Sequence, residues 1–488
     1  MIKKIEGDIL GYVNVDDVEH PFLFDNSTYK LSLYPLSAKC GSMDVNALAN
    51  LKKVIGDIKK PKWIDAVDLK GVTVQGYNIL FNVSGGYDIK DNLKIYTVNY
   101  VYYYEHFNDH NINGLSITGE DIDGFFSHTK SLDMNCTFDD KAGTYKNQSL
   151  KAIDIPKQDG GTFILNGDGE EVFCRISLDA YSFLTMAYDI PDKKMESISE
   201  IRVGFSDSIG IKSTIECIGL ICNLFRFLSY RLRVDLDEIH TYCLDEDGIA
   251  HYDGRIIIRD ISANEYVSDA DLCIDENDVK KSIIRYDDIK EHTADICTMI
   301  YNGKISLEHM TSTYFRRNSY NQARILGILT AFERAYNNIY GIDTVRGDDY
   351  VNFKNSLIER LNKGKECYHG KQLKWYKDVI NGIKKSGISY SQKVYHALID
   401  NQSTVEMYIK NKYEYTDYKK IADDISKRIG KLRNNLAHNN KLDEMDANII
   451  FDIKTVEELW YCMYLRHCNV PIENIVKAVG RLFKENQY

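Results

Sequence analysis

Arg433-Asn434-Asn435-Leu436-Ala437-His438 closes a run whose apolar residues, Tyr418, Ile421, Ile425, Ile429, Leu432 and Leu436, recur every three or four positions. That spacing predicts one helix over 416–438 with a single buried face. Asn439-Asn440 is the expected stop, because Asn tolerates the left-handed C-cap conformation. His438 then sits in the last turn, where the negative end of the helix dipole favours an imidazolium and draws its pKa toward or above neutrality. That suits proton transfer, and Arg433 offers a planar fork for a phosphate. Read alone, an Arg and a His closing a helix do no more than complement its dipole.

The pattern around this stretch is helical throughout the C-terminal part. Helices are expected at 287–301, 304–316, 321–340, 346–365, 372–385, 390–411, 416–438, 453–467 and 472–485, with Pro471 early in the last. Upstream the chain reads as β-rich. Leu31–Tyr34, Val72–Tyr77, Lys94–Tyr104 and Val172–Leu178 have strand patterning, punctuated by Ser84-Gly85-Gly86 and Asn166-Gly167-Asp168-Gly169. No strand–helix alternation occurs, so the sheets should be antiparallel. Tyr-rich strands imply half-buried sheet packing, with a base-stacking platform as the alternative. One helix interrupts the strands, marked by Ile215, Ile218, Ile221, Leu224, Phe225 and Leu228, after which Val234-Asp235-Leu236 returns to strand pattern. Arg226, Arg231 and Arg233 at that junction suit either dipole complementation or an anion. Asp245–Gly248 and Tyr252–Gly254 read as hairpin turns. The expected class is α+β and multidomain: an antiparallel β-rich domain over 1–280, a helical connector over 281–320, and an all-α bundle over 321–488.

The 488 residues, 44% hydrophobic and 27% charged, fit a globular chain of two or more domains. With no run of about 18 apolar residues and no signal-peptide core, a cytoplasmic location without a membrane span is expected. Eleven cysteines lack a paired framework and are expected to be free thiols. Neither Cys462/His467/Cys468 nor Cys273/His292/Cys297 has the spacing of a zinc site, so no metal is expected. Charge is unevenly placed: 281–488 holds 33 Lys+Arg against 26 Asp+Glu, whereas 1–280 holds 28 against 46. A polyanion is therefore expected on the C-terminal half. Phosphate-binding Gly loops, a Gly-x-Ser-x-Gly elbow and a His-Glu-x-x-His motif are absent, which points away from cofactor chemistry.

Arg433-Asn434-x-Leu-Ala-His438 at the end of a late helix resembles the signature of the HEPN superfamily: Arg, a polar residue, a short spacer, then His. The run Ile325–Tyr336 is similar to the first HEPN helix, with Glu333 at its usual acidic or polar position. A long β-rich segment followed by such a domain resembles the ApeA-type abortive-infection proteins of bacteria. The resemblance implies a metal-independent endoribonuclease with no cofactor. His438 and Arg433 would carry proton transfer and phosphate stabilisation, Asn434 would orient the phosphate or the His, and Glu333 would pair with Arg433 or hold the His. RNA, with tRNA as one candidate, would be the substrate, and a phage-derived trigger would act at the N-terminal domain. Five residues apart on a helix, Arg433 and His438 point about 140° apart and lie about 7.5 Å apart along the axis. A two-fold homodimer through the C-terminal domain would complete such a site. Two other functions suit the same residues: a catalytically silent HEPN protein binding RNA or a partner, and a ligand-binding β-domain on a helical oligomerisation platform.

Overall fold

The computed structural model describes the chain except residues 1–7, 16, 35–57, 63–65, 90–93, 106–111, 140–143, 186–193, 235, 246, 260–280, 342–346, 386–387, 438–446 and 485–488. It divides into two compact units, 1–219 with 233–266, and 220–232 with 267–488. The class is α+β, as the patterning predicts. Among the described residues no helix is long and apolar enough to cross a membrane.

The first unit is antiparallel throughout its ladders. Strands β1 (Ile9–Val15), β2 (Val18–Asp25), β3 (Lys30–Leu33), β4 (Ile58–Lys62), β5 (Val67–Thr73), β6 (Asn78–Ile89) and β7 (Lys94–Tyr104) come first. Pairing runs β7-β3-β2-β1-β5-β6, and β6 returns to β7, closing a barrel. Alternate residues fill it, among them Val13, Phe22, Phe24, Leu31, Ile79, Phe81, Val98 and Tyr103. Phe22 and Phe81 meet edge to face at 5.0 Å. The interior is therefore packed with side chains, as small barrels are.

From β7 the sheet continues through β15 (Ala250–Ile258), β14 (Glu238–Leu244), β8 (Ile112–Thr118), β13 (Lys194–Ile209) and β12 (Glu170–Thr185) to β11 (Gln158–Gly167). A separate hairpin pairs β9 (Leu132–Asp139) with β10 (Thr144–Ala152). Strand β7 is the hinge of this arrangement. A register shift opposite Asn82/Val83 changes the phase of its side chains. Tyr96 and Val98, then Val101 and Tyr103, consequently face the barrel core. Tyr100, Tyr102 and Tyr104 are buried as well. Gly254 makes this possible, because a Cβ there would lie 2.3 Å from the Tyr102 ring. The tyrosines are packing, and the stacking-platform alternative for this strand falls.

Several local expectations are corrected. β5 stops at Thr73, and Thr73 accepts from Gly76 at 2.9 Å to make a tight turn, so Val74–Tyr77 is not strand. Ser84-Gly85-Gly86 does not end a strand but forms a bulge within β6. Tyr252–Gly254 lies inside β15, and the strand after the interrupting helix begins at Glu238, not Val234.

Helices are numbered in chain order: α1 (Glu120–Phe125), α2 (Ile211–Ser229), α3 (Tyr286–Ile289), α4 (Thr293–Tyr301), α5 (Gln322–Tyr340), α6 (Gly347–Gly364), α7 (Gly370–Lys385), α8 (Tyr390–Asp400), α9 (Gln402–Lys412), α10 (Tyr418–Ala437), α11 (Ala447–His467) and α12 (Ile472–Phe483). The second unit takes the C-terminal half of α2 and everything from α3 onward. Arg226, in the last turn of α2, donates to the Leu232 carbonyl at 2.7 Å and so holds the segment that follows the helix. The helix expected at 304–316 is absent. Leu232 N–H donates to Thr311 O at 2.8 Å, and only a 3-10 turn forms, at Tyr314–Asn318. The single helix expected at 390–411 breaks at Asn401, whose side-chain amide donates to Ala397 O at 2.9 Å and so competes with the backbone.

Helix α11 is the axis of this unit. From Asp452 to Leu465 all its residues but Lys454 are buried, the mark of a helix surrounded on every side. It buries three carboxylates, and each is paired. Asp452 takes a two-armed contact from Arg428 of α10, at 2.7 and 2.8 Å. Glu458 receives Lys412 at 2.6 and 2.7 Å. Glu457 receives Arg324 of α5 at 3.0 Å, Tyr320 at 2.7 Å, and the hydroxyl of Tyr230. His309, also buried, lies 4.9 Å from the Trp460 ring. Burial, then the Arg324 charge, push its imidazole pKa down from 6.5 to about 3.

Two predictions follow from this core. Glu457→Ala leaves Arg324 without its counter-charge and should cost the helical unit about 3–5 kcal/mol in urea denaturation; a loss under about 1 kcal/mol, the scale of an exposed pair, would contradict the pairing. For His309 the folded pKa lies below the unfolded one. Its contribution is complete above pH 6.5 and is lost as pH falls from there toward about 3. His309→Phe should flatten the fall in thermal stability across that window; an unchanged slope would show that the histidine does not titrate there.

Candidate functional site

The site is assembled where α5, α8 and α10 meet. All five strictly predicted core positions of α10 other than Ile421 (Tyr418, Ile425, Ile429, Leu432 and Leu436) are buried, and Ile421 is half-buried. A capping box starts α8: Gln392 N–H donates to Ser389 Oγ at 3.3 Å, and Ser389 N–H to Gln392 Oε1 at 2.9 Å. This places Tyr390 at the first position of the helix and Lys393 one turn on. Gly430 lets α10 approach: a Cβ there would lie 1.9 Å from Ser391 Oγ and 3.1 Å from its Cβ. Arg433, three residues further, is thereby brought over Tyr390, with its guanidinium carbon 5.9 Å from the ring centroid.

Glu333 of α5 lies between two cations. Lys393 Nζ is 2.8 Å from Glu333 Oε1 and 3.1 Å from Asn337 Oδ1. Arg433 Nη2 is 3.4 Å from Glu333 Oε2. The side chains differ in exposure: 8% for Lys393, 29% for Glu333 and 38% for Arg433. The carboxylate is thus committed mainly to the buried lysine. Arg433 is held by one long contact and keeps the rest of its fork toward solvent. Tyr390 donates to Leu329 O at 2.9 Å. Burial, then the Glu333 charge, hold its phenol well above the ordinary value, with Arg433 opposing, so it remains a neutral wall of the site.

The polar seam continues along the α5–α8 contact. Tyr336 OH and His396 Nδ1 are 3.1 Å apart, and Tyr340 donates to Asp400 at 2.7 Å. His396 is half-buried, which lowers its pKa, Asp400 opposing.

Of the residues expected at the site, Glu333 and Arg433 are brought together although they lie a hundred positions apart. Asn434 is exposed and makes no side-chain hydrogen bond among the described residues. His438 and the expected stop at Asn439-Asn440 lie outside the described residues. Lys393, Asn337 and Tyr390 were not anticipated; the Ser389–Gln392 box that positions two of them is legible in the sequence. Among the described residues no group of three His, Cys, Asp or Glu side chains is placed to hold a metal. Cys462 and Cys468 are buried and His467 is exposed, while Cys273 lies outside the described residues.

Comparison with known proteins returns no matching family model, no matching characterised protein and no matching solved structure.

The close approach at Gly430 gives a direct test. Gly430→Val forces α10 off α8 and should destabilise the helical unit by about 1–3 kcal/mol in chemical denaturation. A neutral effect would mean the helices do not pack as closely as the site requires.

Proposed function

We propose that the chain is a HEPN-type endoribonuclease of a bacterial anti-phage abortive-infection system, with the helical unit cutting RNA. The observation that carries the reading is the Arg433–Glu333–Lys393 cluster: an arginine fork held beside a carboxylate whose charge a buried lysine already offsets. Such a fork suits a phosphate better than an arginine locked in a two-armed ion pair.

RNA carries its own nucleophile. A base takes the 2′-hydroxyl proton, the 2′-oxygen attacks the adjacent phosphorus, and the bond to the 5′-oxygen breaks as that oxygen gains a proton. His438 is the proton carrier and Arg433 stabilises the charge of the phosphorane. Asn434 orients the phosphate. Glu333 and Lys393 set the position of Arg433 and do not touch the reacting atoms. The products are a 2′,3′-cyclic phosphate and a 5′-hydroxyl, with no metal or cofactor in any step. A second copy, joined through the helical unit, completes the site. The β unit senses the infection cue or restrains the nuclease, and its packed barrel interior directs that role to its outer surface.

Purified His438→Ala and Arg433→Ala proteins should lose about 10²- to 10⁴-fold in RNA cleavage while remaining folded, and Arg433→Lys should recover little. Full cleavage by folded His438→Ala protein would overturn the assignment.

A further inference from the structure

Helices α6 and α7 form a hairpin whose two faces differ. Inward, Tyr376 donates to Leu361 O at 2.9 Å, and Ile380 is buried. Outward, Phe353 and Trp375 are 66% and 62% exposed, the two most exposed aromatic residues among those described. Val379, one turn beyond Trp375, is 56% exposed. Such apolar surface in the open marks a contact site.

Its charge says which kind. Helix α7 carries five lysines, Lys371, Lys374, Lys377, Lys384 and Lys385, against the single Asp378. Lys371, Lys374 and Lys377 are exposed, and among the described residues none of them forms an ion pair. Lys371 precedes Trp375 by one helical turn on the same face. Cations flanking an uncovered indole are the two elements of a single-strand nucleic-acid surface: charge to follow the backbone and a ring on which a base stacks.

We propose that the α6–α7 hairpin is an RNA-holding arm, stacking an unpaired base on Trp375 and following the flanking phosphates with Lys371 and Lys374. The inference rests on the ribonuclease reading for its substrate and gives that nuclease a preference for unpaired RNA. The hairpin holds the strand, and the Arg433 cluster remains the place where it is cut.

Binding is measured on the full chain by fluorescence anisotropy with a labelled 2′-O-methyl oligouridylate. This probe lacks the 2′-hydroxyl nucleophile, so binding is read whether or not the chain cleaves RNA. Trp375→Ala should weaken binding about 5- to 150-fold. Replacing Lys371 and Lys374 together by Gln should lower the slope of log affinity against log salt by about 1. Both sets of changes are at exposed positions, and circular dichroism verifies the fold. Unchanged affinity and slope would overturn the arm. So would loss of binding to anionic phospholipid vesicles in Trp375→Ala with oligouridylate affinity intact, because the surface would then serve a membrane. A chain that binds through the hairpin yet cuts no RNA would support the arm and sink the nuclease alone.

Discussion

Glu457 is a carboxylate in a place where an unpaired charge would cost several kcal/mol, and the helical unit is organised around answering it. Arg324 answers from α5, while Tyr320 and Tyr230 bring in the connector and the end of α2. Five residues earlier on the same helix, Asp452 takes both arms of Arg428 from α10. Helices α5 and α10 are therefore both pinned to α11 by charges that cannot be left alone. Apolar packing tolerates small slides between helices; a two-armed contact onto a buried carboxylate specifies one position. The helices so pinned are the two that carry Glu333 and Arg433.

The meeting of Glu333 and Arg433 follows from that frame, and Lys393 gives it its character. A lone Glu–Arg pair would close on itself. Here the deeper lysine takes the closer carboxylate oxygen, and the arginine is left with the longer contact. Positive charge then exceeds negative at the surface of the site, the balance a phosphate requires. The surplus is local, for the chain as a whole carries a net charge of −11. Attraction of a polyanion to this protein must come from particular surfaces.

What was legible in the sequence had a local cause. The spacing of Tyr418 to Leu436 places α10 because one helix face is buried, and Lys94–Tyr104 reads as a strand because aromatic and branched residues crowd it. Asp168-Gly169, both at positive φ, make the turn between β11 and β12, and Gly248 N–H donating to Asp245 O closes another, for the same local reason. What was not legible depended on partners far along the chain. Ile305, Met310 and Thr311 have apolar or helix-compatible spacing, yet they are held in turns by Leu232 and by burial. Closure of the barrel depends on β6 returning to β7, which no strand pattern states. Lys393 looks like an ordinary surface lysine in sequence and becomes a site residue only when α8 lies against α5. The pairing of Arg324 with Glu457 spans 133 positions, beyond any window in which periodicity acts. The Arg433–Glu333 pair was anticipated because a motif resemblance, not a pattern, placed both residues at one site.

The proposed reaction is cleavage of RNA through its own 2′-hydroxyl by this arginine cluster and His438. The most direct measurement is the chemistry of the ends, read by mass spectrometry on RNA incubated with purified protein in EDTA. That reaction leaves 2′,3′-cyclic phosphate or derived 3′-phosphate ends with 5′-hydroxyls. Ends bearing 5′-phosphate and 3′-hydroxyl, formed only when Mg²⁺ is restored, would contradict it.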